Sequence, residues 1–393
     1  MTQSTTQRPW YLLPVIILAQ FAGTSLWFAG NAVLTDLQVS YQLPYMALGA
    51  MTSSVQLGFI IGTLFYAVTL LADRFSPSRV FLVSALLGAA CNASMGWLAT
   101  DYFSLLNARF LTGFFLAGIY PVGMKIASDW YAAGLGKALG YLVGALVLGT
   151  AFPHLLRYTT AELPWQRVIQ GTSLLASAGG LAIWLLVPDG PYHQRGKQFN
   201  PVVIVRMFRY PRFRSAALGY FGHMWELYAF WAFVPVLLRT RFPELADPTV
   251  SLWSFCTIAL GTLGCIVGGH LSQKRGSALV AMVMLAVSGL ICAASPGIFA
   301  LPAGLFGIVL GIWGFTVVGD SPQFSTLVAR NAPPEYRGSA LTIVNSLGFA
   351  ITIVSIQWLN ILYQRWSEDR IYLILVIGPV LGFQAMYRRH WSE

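Results

Sequence analysis

Charge is what this chain lacks most. Of its 393 residues only 10% are charged, against 56% hydrophobic, whereas a soluble domain carries about 25% charged residues. Such a chain cannot clothe a water-facing surface. Cysteine is scarce as well: Cys91, Cys256, Cys265 and Cys292 fall inside apolar runs and have no paired spacing. They read as small apolar packers, which excludes a disulfide or zinc framework. There is no Gly-x-x-x-x-Gly-Lys loop, so direct drive by ATP is excluded on the usual phosphate-binding chemistry. A lipid-modifying enzyme would want clustered carboxylates or a Ser/His/Asp set, and the sequence offers neither. No cofactor and no metal are expected.

Apolar stretches of membrane length are what is present. About 20 residues cross a hydrocarbon core about 30 Å thick. Twelve such stretches recur, at approximately 11–34, 46–72, 79–100, 103–128, 136–157, 165–187, 214–238, 250–272, 278–296, 299–326, 338–361 and 370–388. The first follows a segment with one cation, Arg8, and no small-x-small cleavage site, so it reads as a retained span and not as a removed signal. The net charge of +10 is dispersed over short loops, which argues for membrane orientation and against a nucleic-acid partner. With the N-terminus inside, sixteen Lys and Arg fall on the cytoplasmic side, among them Arg8, Arg195 and Lys197, and six on the other. Both termini are therefore expected in the cytoplasm.

Asp189 to Arg214 is the one long polar stretch, and it divides the chain into 1–188, a linker 189–213, and 214–393. The two parts echo each other. Asp73-Arg74, followed by Arg79, matches Gly269-His-Leu-Ser-Gln-Lys-Arg-Gly276 at an offset of about 200 residues. Lys137 falls on Arg337 at nearly the same offset, and Pro121 on Pro322. Duplicated halves of this kind are a transporter signature.

Six plus six spans, a basic central linker and a repeated loop after spans 2 and 8 resemble the major facilitator superfamily over essentially the whole chain. The resemblance implies an all-α membrane protein, twelve transmembrane helices in two pseudo-symmetric six-helix bundles, working by alternating access on a small solute. The family loop runs Gly-x-Leu-x-Asp-Arg-x-Gly-Arg. The first copy here has Thr69 and Ser76 in place of glycines, while the second keeps Gly269 and Gly276 but has Gln273 where the acid belongs. By resemblance Asp73, Arg74, Arg79, Lys274 and Arg275 are gating residues: the acid caps or pairs with neighbouring helix ends and the cations fasten the halves in the outward-open state, with the first copy the stronger latch.

Several polar residues lie deep in the spans. Arg109, in Arg109-Phe-Leu-Thr-Gly113, sits about 10 Å inside span 4 by helical rise and needs a cavity or a partner, since an arginine there costs at least about 2.5 kcal/mol. The motif is similar to the family's Arg-x-x-x-Gly, whose arginine faces the cavity; a tether to carbonyls of span 1 or 2 is the other reading. His223 and Glu226 are three apart and so neighbours on one helix face, either a proton-handling pair or a hydrogen-bonded brace. Asp320 and Gln323 flank Pro322, a gate, a cation site or a satisfied kink. Lys125, four residues before Asp129, reads as interfacial. Polar stripes run through Gln20, Thr24, Trp27 and Asn31 in span 1 and Thr342, Asn345, Phe349 and Thr352 in span 11. They suit substrate binding or helix packing.

The resulting expectation is a monomeric, proton-coupled transporter of the bacterial inner membrane. Arg109 and His223 favour a small organic or inorganic anion, with the nitrate and cyanate relatives as a guide. Glu226, Asp320 and the many aromatics favour proton-driven efflux of an amphipathic compound or cation. A transport-dead sensor keeps the same fold. Glu226→Gln is expected to abolish accumulation driven by a pH gradient.

Overall fold

In the computed structural model, residues 9–44, 46–131, 135–192, 206–333 and 336–390 are described, without the side chains of 135–136 and 388–390. Arg8, Arg195, Lys197 and residues 193–205 of the expected linker lie outside them. Among the described residues ten helices are long and apolar enough to cross a membrane: α2 (Ala47–Thr69), α3 (Pro77–Trp97), α4 (Tyr102–Trp130), α5 (Leu135–Thr159), α6 (Gln166–Leu186), α7 (Pro211–Arg241), α8 (Asp247–Arg275), α9 (Ser277–Ile298), α10 (Ala303–Asn331) and α11 (Arg337–Leu362). Two shorter apolar helices, α1 (Leu12–Thr24) and α12 (Ile371–Tyr387), bring the spans to twelve. Helices satisfy their own backbone groups, which hydrocarbon requires. Large apolar side chains such as Leu18, Trp97, Leu174 and Leu290 point outward, as lipid-facing residues do.

Three spans are interrupted. α1 stops at Thr24 and a turn separates it from the short helix Ala29–Ala32, so the expected stripe from Gln20 to Asn31 is not one helical face. α4 breaks after Leu116 and resumes at Tyr120, while α10 breaks at Asp320 and resumes at Ser321. Pro121 and Pro322 each stand in the opening turn of the resumed helix, where a missing N–H leaves no carbonyl unpaired. The matched prolines of the sequence thus mark matched breaks. α7 runs unbroken and begins at Pro211, inside the expected linker. α12 opens as a 3-10 turn over Ile371–Val376.

The duplication also governs packing. A side chain on Gly58 or Gly62 of α2 would collide with the α4 carbonyls of Phe110 and Phe114, and one on Gly113 of α4 with the carbonyl of Val55. In the second half Gly264 of α8 meets the carbonyl of Phe315, and Gly314 of α10 that of Thr257. Small residues let backbones touch where no hydrophobic force drives helices together. Of the α8 glycines, Gly264 and Gly268 face α10, Gly261 meets both α10 and α5, and Gly269 touches nothing, while Thr262 Oγ1 donates to the Gly144 carbonyl of α5 (3.1 Å). Gly113→Ala should lower stability by about 1–3 kcal/mol, as overpacking does. Gly269→Ala should not, and thermal unfolding in detergent compares the two.

α4 starts on a capping box. Asp101 Oδ1 accepts from Ser104 N–H (2.7 Å), and Ser104 Oγ accepts from Asp101 N–H (3.1 Å). These bonds, to the Ser104 backbone first and its hydroxyl second, hold the exposed Asp101 carboxyl below the usual carboxylate range.

Candidate functional site

An enclosed cavity lies between the halves, with walls from α4, α5, α7, α10 and α11. Its volume is about 20 Å³, room for a single water. Tyr120, Tyr220, Tyr228, Met224, Ser321 and Phe349 line it together with valine and leucine. The hydroxyls of the three tyrosines make no hydrogen bond to a described residue. No charged side chain is part of the wall.

One side of the cavity is roofed by aromatic rings. Trp27, from the break after α1, stacks on Phe349 of α11 (5.5 Å) and leans on Tyr228 of α7 (5.6 Å) and Phe59 of α2 (4.7 Å). Phe28 and Tyr228 extend the cluster to Trp231 (6.2 and 5.1 Å). Tyr228 and Phe349 belong both to this roof and to the cavity wall. Anything that enlarges the cavity must therefore disturb the contact between the halves.

Arg109 is fully buried but is not part of the cavity wall. Its Nη1 donates to the carbonyl of Leu26 (3.0 Å) and to Asn92 Oδ1 (3.5 Å), and its Nη2 to the carbonyl of Trp27. Carbonyls past the end of a helix have no ladder donor, and the guanidinium fork supplies one. Gly30 leaves room for its stem, since a Cβ there would lie 3.2 Å from Arg109. The tether reading of the sequence is the one this geometry matches. Nearby, Asn31 donates to Thr52 Oγ1 (2.8 Å), while both ends of the Gln20 amide lack a partner beside Gly123.

In the second half, His223 Nδ1 approaches Asp320 Oδ1 at 2.8 Å with both side chains buried. The ring N–H does not lie along the contact, so this is a close polar contact and not an aligned hydrogen bond. Tyr220 and Phe324 pack on the imidazole at 5.9 and 5.8 Å. Tyr220 and Ser321 thus separate this pair from the cavity. Glu226 turns elsewhere, accepting from Trp313 Nε1 (2.7 Å), Ser288 Oγ (2.8 Å) and Cys292 Sγ (3.2 Å). His223 and Glu226, expected as one pair, therefore serve different partners. Gln323 donates to the Gly319 carbonyl of its own helix (3.3 Å), and Asn345 is half-buried without a hydrogen bond to a described residue.

The loop residues are arranged asymmetrically. Asp73 pairs with Lys125 of α4 (2.9 Å), which also approaches Asp129 (3.6 Å). This contact stays within the first half, and Lys125 is part of the loop site and not a bystander at the interface. The side chains of Arg74, Arg79, Lys274 and Arg275 form no hydrogen bond or ion pair with a described residue. At the opposite end the halves are tied by Gln357 to Ser53 (2.8 Å), Asn360 to the Met46 carbonyl (3.2 Å) and Arg239 to Thr35 (3.2 Å). A state shut at that end leaves the loop cations unlatched. Asp73→Asn should slow exchange severalfold more than Gln273→Ala, a comparison to be made by counterflow in proteoliposomes.

The profile of the Major Facilitator Superfamily matches residues 12–356, and the chain belongs to that family. An uncharacterised MFS-type transporter of Enterobacter sp. (strain 638) is 25% identical, with 96% of each chain covered. A probable transporter of Saccharomyces cerevisiae, MCH2, is 24% identical over 72% of this chain and 61% of its own length. Among solved structures, a bacterial homologue of the human lysosomal transporter Spinster superposes with TM-score 0.74 at 14% identity, covering 98% of this chain and 97% of that one. The xylose transporter XylE from E. coli gives 0.74 at 12% identity, covering 96% and 97%. The protein is a multi-pass membrane protein of a transporter family, with the twelve-helix fold that the sequence led one to expect.

Sequence reasoning reached Phe349 of the cavity wall but missed its α7 face. Tyr220, Met224, Leu227 and Tyr228 stand at i, i+4, i+7 and i+8, one face of a helix, and that periodicity could have found them. Charged residues drew attention instead, because a charge in hydrocarbon is conspicuous and a tyrosine is not.

Proposed function

We propose that the protein is a proton-coupled secondary transporter that carries a neutral or cationic amphipathic compound bearing an aromatic or apolar face. The carrying observation is the cavity wall, which has aromatic rings and three unpartnered tyrosine hydroxyls but no cation. Tyrosine rings favour apolar faces and cations, and their hydroxyls can donate to or accept from a polar substituent. The anion reading loses its two supports, because Arg109 is engaged by carbonyls and His223 by Asp320. Proton coupling is assigned to the His223–Asp320 pair, one layer behind Tyr220 and Ser321. Both termini lie in the cytoplasm, by the sixteen-to-six distribution of Lys and Arg. The chain acts as a monomer in a bacterial inner membrane, with halves 1–188 and 214–393 rocking about the central cavity.

A thermal-shift screen of purified protein tests the substrate class. Aromatic amines and neutral aromatic amphipaths should raise the melting temperature, and nitrate, cyanate and small carboxylates should not. Stabilisation by the anions alone would return the protein to the anion class.

A further inference from the structure

A second cavity lies apart from the central one. It is a groove of about 510 Å³ between α9 and α10, walled only by apolar residues, among them Val287, Leu290, Ala294, Ile298, Leu301 and Ile312. From Val287 to Ile298 it follows α9 for eleven residues, about 16 Å by helical rise. One leaflet of hydrocarbon is about 15 Å deep, half of the 30 Å core. The groove thus starts near the midplane and ends at the membrane surface opposite the termini, where the chain turns from α9 into α10.

A cation stands at that end. Arg241, in the last turn of α7, donates from Nη2 to the carbonyl of Leu301, a residue of the groove wall, at 2.8 Å. Its guanidinium lies over the rings of Phe242 and Phe306 at 4.7 and 5.9 Å. The Nε–H is buried without a partner, and Arg241 forms no salt bridge with a described residue. Guanidinium donors match phosphate oxygens in number and geometry. Next to Arg241, a groove one leaflet deep meets an unneutralised cation at the surface.

The structure assigns this groove as a binding site for a single glycerophospholipid, one acyl chain lying along α9 and the phosphate against Arg241. Charge complementarity selects this occupant over a transmembrane helix of a partner, which would set apolar surface against Arg241. The site neither depends on the substrate reading above nor shares a residue with the central cavity.

Native mass spectrometry of the purified full chain, after exchange into mild detergent with defined lipids, provides the test. Wild type should retain one phosphatidylglycerol per chain, and retain it at least about tenfold better than diacylglycerol, which has the chains but no phosphate; tenfold corresponds to about 1.4 kcal/mol. Ala294→Phe, which fills the groove, should lose the bound lipid. Gly297→Leu should do the same, its side chain entering open space, and stands in should Ala294→Phe not fold. Arg241→Gln should keep chain binding but lose the preference for the phosphate, and Arg241→Lys should restore part of it. Leu174→Phe, on the lipid-facing side of α6, should change nothing. Unchanged retention in both groove variants, or equal loss in the Leu174 variant, would mean annular lipid only and overturn the site. Persistent phosphate preference in Arg241→Gln would overturn the headgroup contact.

Discussion

Arg109→Leu is expected to abolish transport while leaving ligand affinity within about threefold of wild type, a difference of about 0.65 kcal/mol. The guanidinium holds the carbonyls of Leu26 and Trp27 in the break after α1, together with Asn92 of α3. Each buried carbonyl left without a donor costs about 1–3 kcal/mol, so the break should lose its fixed shape. Trp27 would then drift from its stack on Phe349 and from Phe59, and the roof over the cavity would no longer close in register. A substrate ligand would behave differently: its loss would raise KM or Kd, and lysine would restore part of the affinity. A lysine cannot reproduce the planar fork that spans three acceptors, so Arg109→Lys should also fail in turnover. Binding by thermal shift and turnover by counterflow, measured on the same preparations, separate the two roles. A large loss of affinity with turnover preserved at saturation would make Arg109 a substrate ligand after all.

The fold was readable in advance because hydrocarbon imposes a length and an apolar composition on every span. The duplicated halves were readable because Pro121 and Pro322 mark the same break in α4 and α10. The break after α1 was not readable: Ser25 to Phe28 carries no proline, and what stabilises the turn is Arg109, more than 80 residues away in the chain. Partnership explains the other failures as well. His223 and Glu226 do share a helix face by spacing, yet three donors on α9 and α10 draw Glu226 to one neighbour and Asp320 draws His223 to another. Spacing fixes direction to within a helical face, but only the tertiary packing decides which neighbour occupies it. Asp73 pairs with Lys125 at the end of α4, in keeping with an acid that pairs at a neighbouring helix end, though spacing alone could not name that partner.

That division of partners moves the expected proton site. Glu226 receives three hydrogen bonds from protein groups, so its carboxylate is matched, and it is not part of the cavity wall. Glu226→Gln would set an amide N–H against a donor, at a cost of about 1–3 kcal/mol in stability, and should lower the melting temperature while a pH gradient still drives accumulation. Asp320 differs in both respects. Its polar side-chain partner among the described residues is His223, it sits where α10 is broken, and it is followed by Ser321 in the wall. In the proposed coupling, a proton taken up by Asp320 weakens its contact with His223 and frees the break to move, which changes the wall at Ser321. A proton released restores the pair. Asp320→Asn fixes the neutral state at nearly constant volume, so accumulation against a gradient should vanish while downhill exchange persists. Breaking a buried pair from one side is itself destabilising by about 3–5 kcal/mol, and for that reason His223→Gln combined with Asp320→Asn is the better variant, removing both charges together. Proteoliposomes loaded at one pH and diluted into another report both processes. Undiminished gradient-driven uptake in the double variant would take proton coupling away from this pair, and its loss in Glu226→Gln alone would assign it to Glu226.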